Sequence, residues 1–243
     1  MSDERQSASI SGSGSLTGGT FSRISISGSG KVNGDVVVED LRISGSGRVS
    51  GTTEAGQIVV SGSGTFSDTV IADEMRVSGS SRVDGLVQAK ELKCSGSFRT
   101  SGGITSDYVK ITGSLRTGAD VEADIFRATG GFDIDGLLTA DKIEIHVGGR
   151  CRAKEIGGER IEVRRASHSL LAGLVRILGV NSGVSRLETT VIEADEISLE
   201  DTTADIVRGK RIEIGAGCRI GTVEYEETLS VRDDAEVRDR RQV

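Results

Sequence analysis

Few residues in this chain of 243 could carry chemistry. His146 and His168 are its two histidines. A zinc ion held by three imidazoles cannot be assembled from them. Cys94, Cys151 and Cys218 are far apart. An odd, scattered cysteine count fits a reducing compartment and buried thiols that pack as small hydrophobes. Serine is abundant, but it recurs in SGSG runs at fixed intervals. No single serine stands out as a nucleophile, and a periodic GSG is a poor phosphate cradle. The expectation is a protein that is not an enzyme, with no catalytic, cofactor-binding or metal-binding residues.

The fixed interval is the stronger signal. Gly28, Gly45, Gly62, Gly79, Gly96, Gly113 and Gly130 are each 17 residues apart, with Gly12 one residue closer. Apolar residues line up around these glycines. Four before stand Ile24, Leu41, Ile58, Met75, Leu92, Val109 and Phe126. Two before stand Ile26, Ile43, Val60, Val77, Cys94, Ile111 and Ala128. Four after come Val32, Val49, Phe66 and Val83, and eight after come Val36, Val70, Val87, Ile104 and Val121. Where position four turns polar, at Thr100 and Thr117, Phe98 and Leu115 two residues earlier carry the bulk. Cys151 is expected in the column four after the glycine, with Cys218 near it.

Within each repeat the apolar residues alternate at period two in three short bursts. That is the strand period, not the helical one. Glycines inside helices would also cost about 1 kcal/mol each. Three short strands with bends between them make one turn of a three-sided parallel β-helix, an all-β solenoid. Counting on through Ile143, Ile161, Ile197, Ile212 and Leu229 gives about 13 coils of about 17 residues, stacked at about 4.8 Å per turn. Glycine at the SGSG corner, Gly45 for example, is expected to supply a backbone conformation closed to most residues. The spacing is not the six of hexapeptide acyltransferases. With 3% aromatics, long carbohydrate-binding loops are not in view.

The expected organisation is a polar tail at 1–8, a β-helix over 9–235 and a charged tail at 236–243. An insertion at about 166–186 interrupts the helix. There Leu170, Leu171, Leu174, Ile177 and Leu178 recur at three and four, with Arg176 among them, which predicts a short amphipathic helix. Three readings stay open for it: packing on the flank, a contact with a partner or second copy, and an in-plane membrane foot.

Net charge is −7, which disfavours nucleic acid as a partner. Basic residues nevertheless fall into columns beside the corner. Arg42, Arg76, Lys93, Lys110 and Arg127 precede the corner position by three, and Lys31, Arg48, Arg82, Arg99, Arg116 and Arg150 follow it by three. This basic edge reads either as a solvated, charge-interleaved surface or as a dock for an anionic membrane or acidic partner. The N-terminus MSDERQSAS has no apolar signal segment. No apolar run approaches the roughly 18 residues of a membrane span. The expected location is cytoplasmic, or peripheral at the inner face of the membrane.

GKVNGDV at Gly30–Val36, the 17-residue coil and ADIVRGKRIEIGAGCRIGTVEY at Ala204–Tyr225 together resemble the bactofilins, polymer-forming cytoskeletal proteins. The resemblance is to the longer, nearly all-solenoid members and covers about residues 8 to 235. It implies a right-handed β-helix that assembles end to end into nucleotide-independent filaments. It also implies scaffolding of cell-shape or envelope proteins. Some members attach to the membrane through an N-terminal apolar segment, which is not seen here. Many shorter members have a phenylalanine in the terminal coil, whereas the last phenylalanine here is Phe132. Open strand edges at the ends favour self-association. The end-coil residues expected to take part are Ile10, Leu16, Tyr225, Leu229 and Val231. The alternative is a non-polymerising binding module that docks through the inserted helix or the basic edge.

Overall fold

The computed structural model describes residues 6–165 and 185–243. The chain divides into two compact units, Met1–Asp124 and Ile125–Val243. Each is an all-β solenoid of parallel strands.

In the first unit, strands alternate with corners. They are β1 (Gln6–Ile10), β2 (Ser13–Ile26), β3 (Ser29–Ile43), β4 (Ser46–Val49), β5 (Thr53–Val60), β6 (Ser63–Phe66) and β7 (Val70–Val77). Next come β8 (Ser80–Val83), β9 (Val87–Cys94), β10 (Ser97–Thr100), β11 (Ile104–Ile111) and β12 (Ser114–Thr117). The division between units falls inside β13 (Val121–Ala128). β3, β5, β7, β9 and β11 pair in parallel, each residue with the one 17 later, as Ile58 with Met75 and Val60 with Val77. β4, β6, β8, β10 and β12 do the same. Pairing of every segment with its own next copy is what makes the repeat a solenoid rather than a flat sheet.

Six positions per turn point inward, in three pairs: four and two before the corner glycine, two and four after it, eight and ten after it. Leu41, Ile43, Val49, Ile58, Val60, Phe66, Val70 and Val109 are completely buried. Branched side chains suit these positions because they stack on their own copies across the pleated surface. One turn cannot bury its apolar residues alone, so each depends on its neighbours.

The corner glycines are explained differently from the expectation. Among the described residues, left-handed φ occurs at Gly19, Gly34, Gly217 and Asp201, not at the SGSG corners. The constraint there is close approach between turns. A Cβ on Gly45 would lie 2.2 Å from the Gly28 carbonyl oxygen and 2.3 Å from that of Ser27. The same carbonyls serve the ladder, since the Ser46 N–H donates to the Gly28 oxygen at 2.8 Å. The second glycine of the motif has another task. A Cβ on Gly47 would meet Ile43 Cδ1 at 2.9 Å, and one on Gly30 would meet Ile26 Cγ2 at 2.8 Å. Where the residue before the corner shrinks to Cys94, the glycine position is filled by Phe98 instead, fully packed.

The second unit uses longer strands: β14 (Gly131–Val147), β15 (Arg150–Arg165), β16 (Arg186–Leu199), β17 (Thr202–Ile214), β18 (Arg219–Val231) and β19 (Glu236–Gln242). Its turns vary in length. Ile192 pairs with Val207, fifteen residues on, and Ile220 with Val237, seventeen on. β15 and β16 pair directly, Val163 with Leu199, so the chain between residues 165 and 186 links two adjacent turns. Phe126 and Phe132 meet edge to face at 5.5 Å between centroids, a favourable aromatic geometry.

Two expected positions shift. Cys151 pairs with Phe132, which puts it in the column two after the corner, not four, because the preceding turn is two residues longer. β1 starts at Gln6 and β19 covers residues 236–242, within the stretches read as tails. The expected amphipathic helix, with Leu170, Leu171, Leu174, Arg176, Ile177 and Leu178, lies outside the described residues.

Candidate functional site

The residues with chemical potential are used as packing. Cys94, Cys151 and Cys218 are buried, and burial pushes their thiols up to about 11, far from the thiolate that nucleophiles and metal ligands require. Cys151 and Cys218 share a column with Leu187 and Thr202 between them, roughly 14 Å apart at the parallel-strand spacing. Among the described residues no group of three or more His, Cys, Asp or Glu could hold a metal ion. A furrow of about 520 Å³ in the second unit has a floor of Gly157, Gly158, Ala194 and Gly209. Its charges satisfy one another, Lys210 with Asp195 at 2.9 Å and Arg208 with Glu224 at 2.6 Å.

The surface columns carry more information. The basic edge read from sequence is two edges. Three before the corner, cations sit beside acids on their own strand or the next turn. Arg42 pairs with Asp40 at 3.0 Å, Arg76 with Glu74, Lys93 with Glu91 at 2.6 Å and Arg127 with Glu144 at 2.6 Å. At Lys110 the acidic position is taken by Tyr108. Burial pushes the Glu74 carboxyl up, but hydrogen bonds from Gln57 and Arg76 outweigh it and hold the carboxyl below its ordinary value. The Lys142 hydrogen bond lowers Glu144 in the same way.

Three after the corner the pattern differs between units. In the first unit Lys31, Arg48, Thr65, Arg82, Arg99 and Arg116 stand in direct register from turn to turn. Arg82 pairs with Asp84 at 2.6 Å. Lys31, Arg48 and Arg99 make no ion pair among the described residues. In the second unit the equivalent ladder reads Asp133, Arg152, Glu188, Thr203, Arg219, Glu236. Signs alternate there, and Arg152 bonds Asp133 at 2.5 Å while Arg219 lies 3.7 Å from Glu236. Sequence reading found every member of the first ladder except Thr65. It missed the contrast between units because the turn lengths hide the second ladder.

The column ends are incompletely covered. Ile10 stacks on Ile26 and Leu16 on Val32; Ile26 and Val32 are buried whereas Ile10 and Leu16 are half-buried. Leu229 and Val231, stacked on buried Ile212 and Ile214, are half-buried too, as is Tyr225 beside Gly209.

Residues 6–104 match the family described as bactofilin, polymer-forming cytoskeletal. The match covers most of the first unit, including the like-charged ladder from Lys31 to Arg99. Two curated relatives from Bacillus subtilis (strain 168), the uncharacterized proteins YhbF and YhbE, are 38% identical over 92 residues and 37% identical over 95 residues. These matches cover 37% and 38% of this chain, and 35% and 37% of the relatives. The chain therefore spans about a third of the length of the curated relatives it matches. No solved structure matches. Among the described residues no helix is long and apolar enough to cross a membrane.

The root of the insertion is anchored. The Arg165 N–H donates to Glu200 at 2.8 Å, and its guanidinium grips both oxygens of Asp201 at 2.6 and 2.8 Å. On the far side Arg186 donates to the Thr203 hydroxyl at 3.4 Å.

Proposed function

We propose that the protein is a structural cytoskeletal element whose solenoids stack end to end into filaments without nucleotide. These filaments scaffold cell-shape or envelope proteins in the cytoplasm or at the inner face of the membrane. The bactofilin match supports a polymer-forming role. The observation that carries the end-to-end contact is the half-covered stacks at Ile10 and Leu16 and at Tyr225, Leu229 and Val231. A second copy continuing those stacks removes the same kind of apolar surface from water that each internal turn removes. The reading needs no catalytic group and no cofactor.

Sedimentation and negative-stain microscopy of the full chain, without nucleotide and across salt concentrations, test it. Filaments are expected from the wild type. Leu16→Asp and Leu229→Asp are expected to leave single particles with an unchanged circular dichroism spectrum. A wild type that stays as single particles at every salt concentration overturns the reading, and so do variants that assemble like wild type. A docking role alongside assembly is favoured by the like-charged ladder of the first unit.

A further inference from the structure

The ladder Lys31, Arg48, Thr65, Arg82, Arg99, Arg116 is electrostatically unfavourable as a piece of folded structure. Parallel neighbours stand about 4.8 Å apart, and like charges facing one another across strands repel. The second unit shows that this solenoid accommodates the opposite solution at the equivalent position, with alternating signs. Stability and solubility alone therefore do not account for five cations in six consecutive turns.

The surroundings of the ladder narrow its partner. On one side run outward serines from Ser29 and Ser46 through Ser114, on the other Asn33, Ser50, Ser67 and Asp84, all exposed. The strip thus offers cations and hydroxyls, with Asp84 the one carboxylate among these flanking positions. It carries no aromatic ring on which the bases of a single-stranded nucleic acid would stack. The acidic column six before the corner of a second copy, Glu39, Asp73, Asp107 and Asp124, is broken at Gly56 and at Lys90, which pairs with Asp73 at 2.7 Å, so it gives no unbroken acidic ladder to match. Arg208 stands between Glu193 and Glu224, and Lys210 pairs with Asp195. A straight row of cations on a sheet face, spanning about 24 Å at the parallel-strand spacing, fits a continuous negatively charged plane.

We propose that this ladder docks the first unit on a bilayer surface rich in anionic phospholipid headgroups. The guanidinium and ammonium groups face the phosphates, and the flanking hydroxyls donate hydrogen bonds to phosphate oxygens. With no apolar side chain in the strip, binding is superficial and salt-sensitive. Polymerisation is not required, but a polymer would multiply the contact by avidity.

The test is flotation of the full chain with vesicles of phosphatidylcholine, alone or mixed with phosphatidylglycerol, at low and physiological salt. Polymerisation is measured in parallel by sedimentation without vesicles, so that loss of assembly and loss of docking are read separately. The wild type is expected to bind the mixed vesicles, more weakly as salt rises, and to ignore phosphatidylcholine alone. The triple variant Lys31→Gln, Arg48→Gln, Arg99→Gln should bind on the order of a hundredfold more weakly, about fivefold per cation. The control Arg42→Gln, Arg76→Gln, Lys93→Gln changes net charge equally but removes cations already paired, and should lose only severalfold. The single Arg99→Glu variant serves where the triple does not fold. Equal losses in the two triple variants would assign binding to net charge and overturn the proposal. Failure of the wild type to bind the mixed vesicles does so too, as does equal binding to phosphatidylcholine. Tight binding of inorganic polyphosphate without vesicle binding would point to a soluble polyanion and likewise overturn it.

Discussion

The two units solve the same stacking problem with different surfaces. Three residues after the corner, the first unit repeats one sign of charge from Lys31 to Arg116, and the second alternates from Asp133 to Glu236. The first unit also keeps a strict 17-residue turn with glycine at each corner from Gly28 to Gly113, whereas the second lets turn length vary. Regularity and like charge occur together. A fixed turn length places every copy of a surface residue on one line, which is what a flat anionic partner reads and what self-repulsion penalises. The irregular unit aligns fewer identical residues and uses the freedom to pair opposite charges.

The largest expected effect breaks the columns themselves. Val60, between Ile43 and Val77, and Ile111, stacked on Cys94, are fully buried in the first unit. Asp at either position leaves a buried unpaired carboxylate and should cost about 4 kcal/mol or more, seen as loss of cooperative melting. An unchanged melting curve would contradict the column assignment.

Next comes the corner. Gly45→Ala forces a Cβ onto two backbone oxygens and should cost about 3 kcal/mol, at the upper end of overpacking effects. Gly149→Ala in the second unit meets nothing nearer than 3.6 Å and should stay within about 0.5 kcal/mol. Comparable losses at both sites would mean that inter-turn clearance is not what selects glycine.

Polar residues inside the stack separate by partner. The Thr53 hydroxyl is buried without a hydrogen bond, while Thr117 donates to the Gly102 carbonyl at 2.8 Å. Thr53→Val should therefore stabilise by about 1 kcal/mol, and Thr117→Val should destabilise by a similar amount. Chemical denaturation of the two variants reads both signs.

Acidification acts on the paired columns. Glu74, Glu144 and Glu196 have carboxyls held below their ordinary value, so their contribution is complete above the unfolded value of 4.5. It disappears as pH falls through the lower folded values. Stability should decline below about pH 4.5, and more steeply at low salt as the cations lose their partners. A stability flat from pH 6 down to about pH 3 would show that these pairs contribute nothing.

Much of this was readable in the sequence. The columns at Ile24, Ile26, Val32 and Val36 and their copies are fixed by period two within period 17, two signals that reinforce each other. The exchange of bulk between Phe98 and Thr100 was readable for the same reason. The reason for the corner glycine was not, because it lies in the distance between turns rather than in local chain geometry. Cys151 was misplaced because register is lost when a turn gains residues, as the one before it does at Gly148 and Gly149. The half-covered ends follow from the order of the turns, but the pairing of Arg42 with Asp40 depends on side-chain reach that spacing alone does not give.

The most direct measurement is a charge swap read twice. Arg99→Glu converts Arg82, Arg99, Arg116 into the alternating pattern of the second unit. The expected result is a gain of about 0.5 kcal/mol in stability, or roughly 1–2 °C in Tm, together with markedly weaker binding to phosphatidylglycerol vesicles. A variant that is less stable than wild type, or that binds those vesicles as well, would contradict the claim that the like-charged ladder trades stability for contact with an anionic surface.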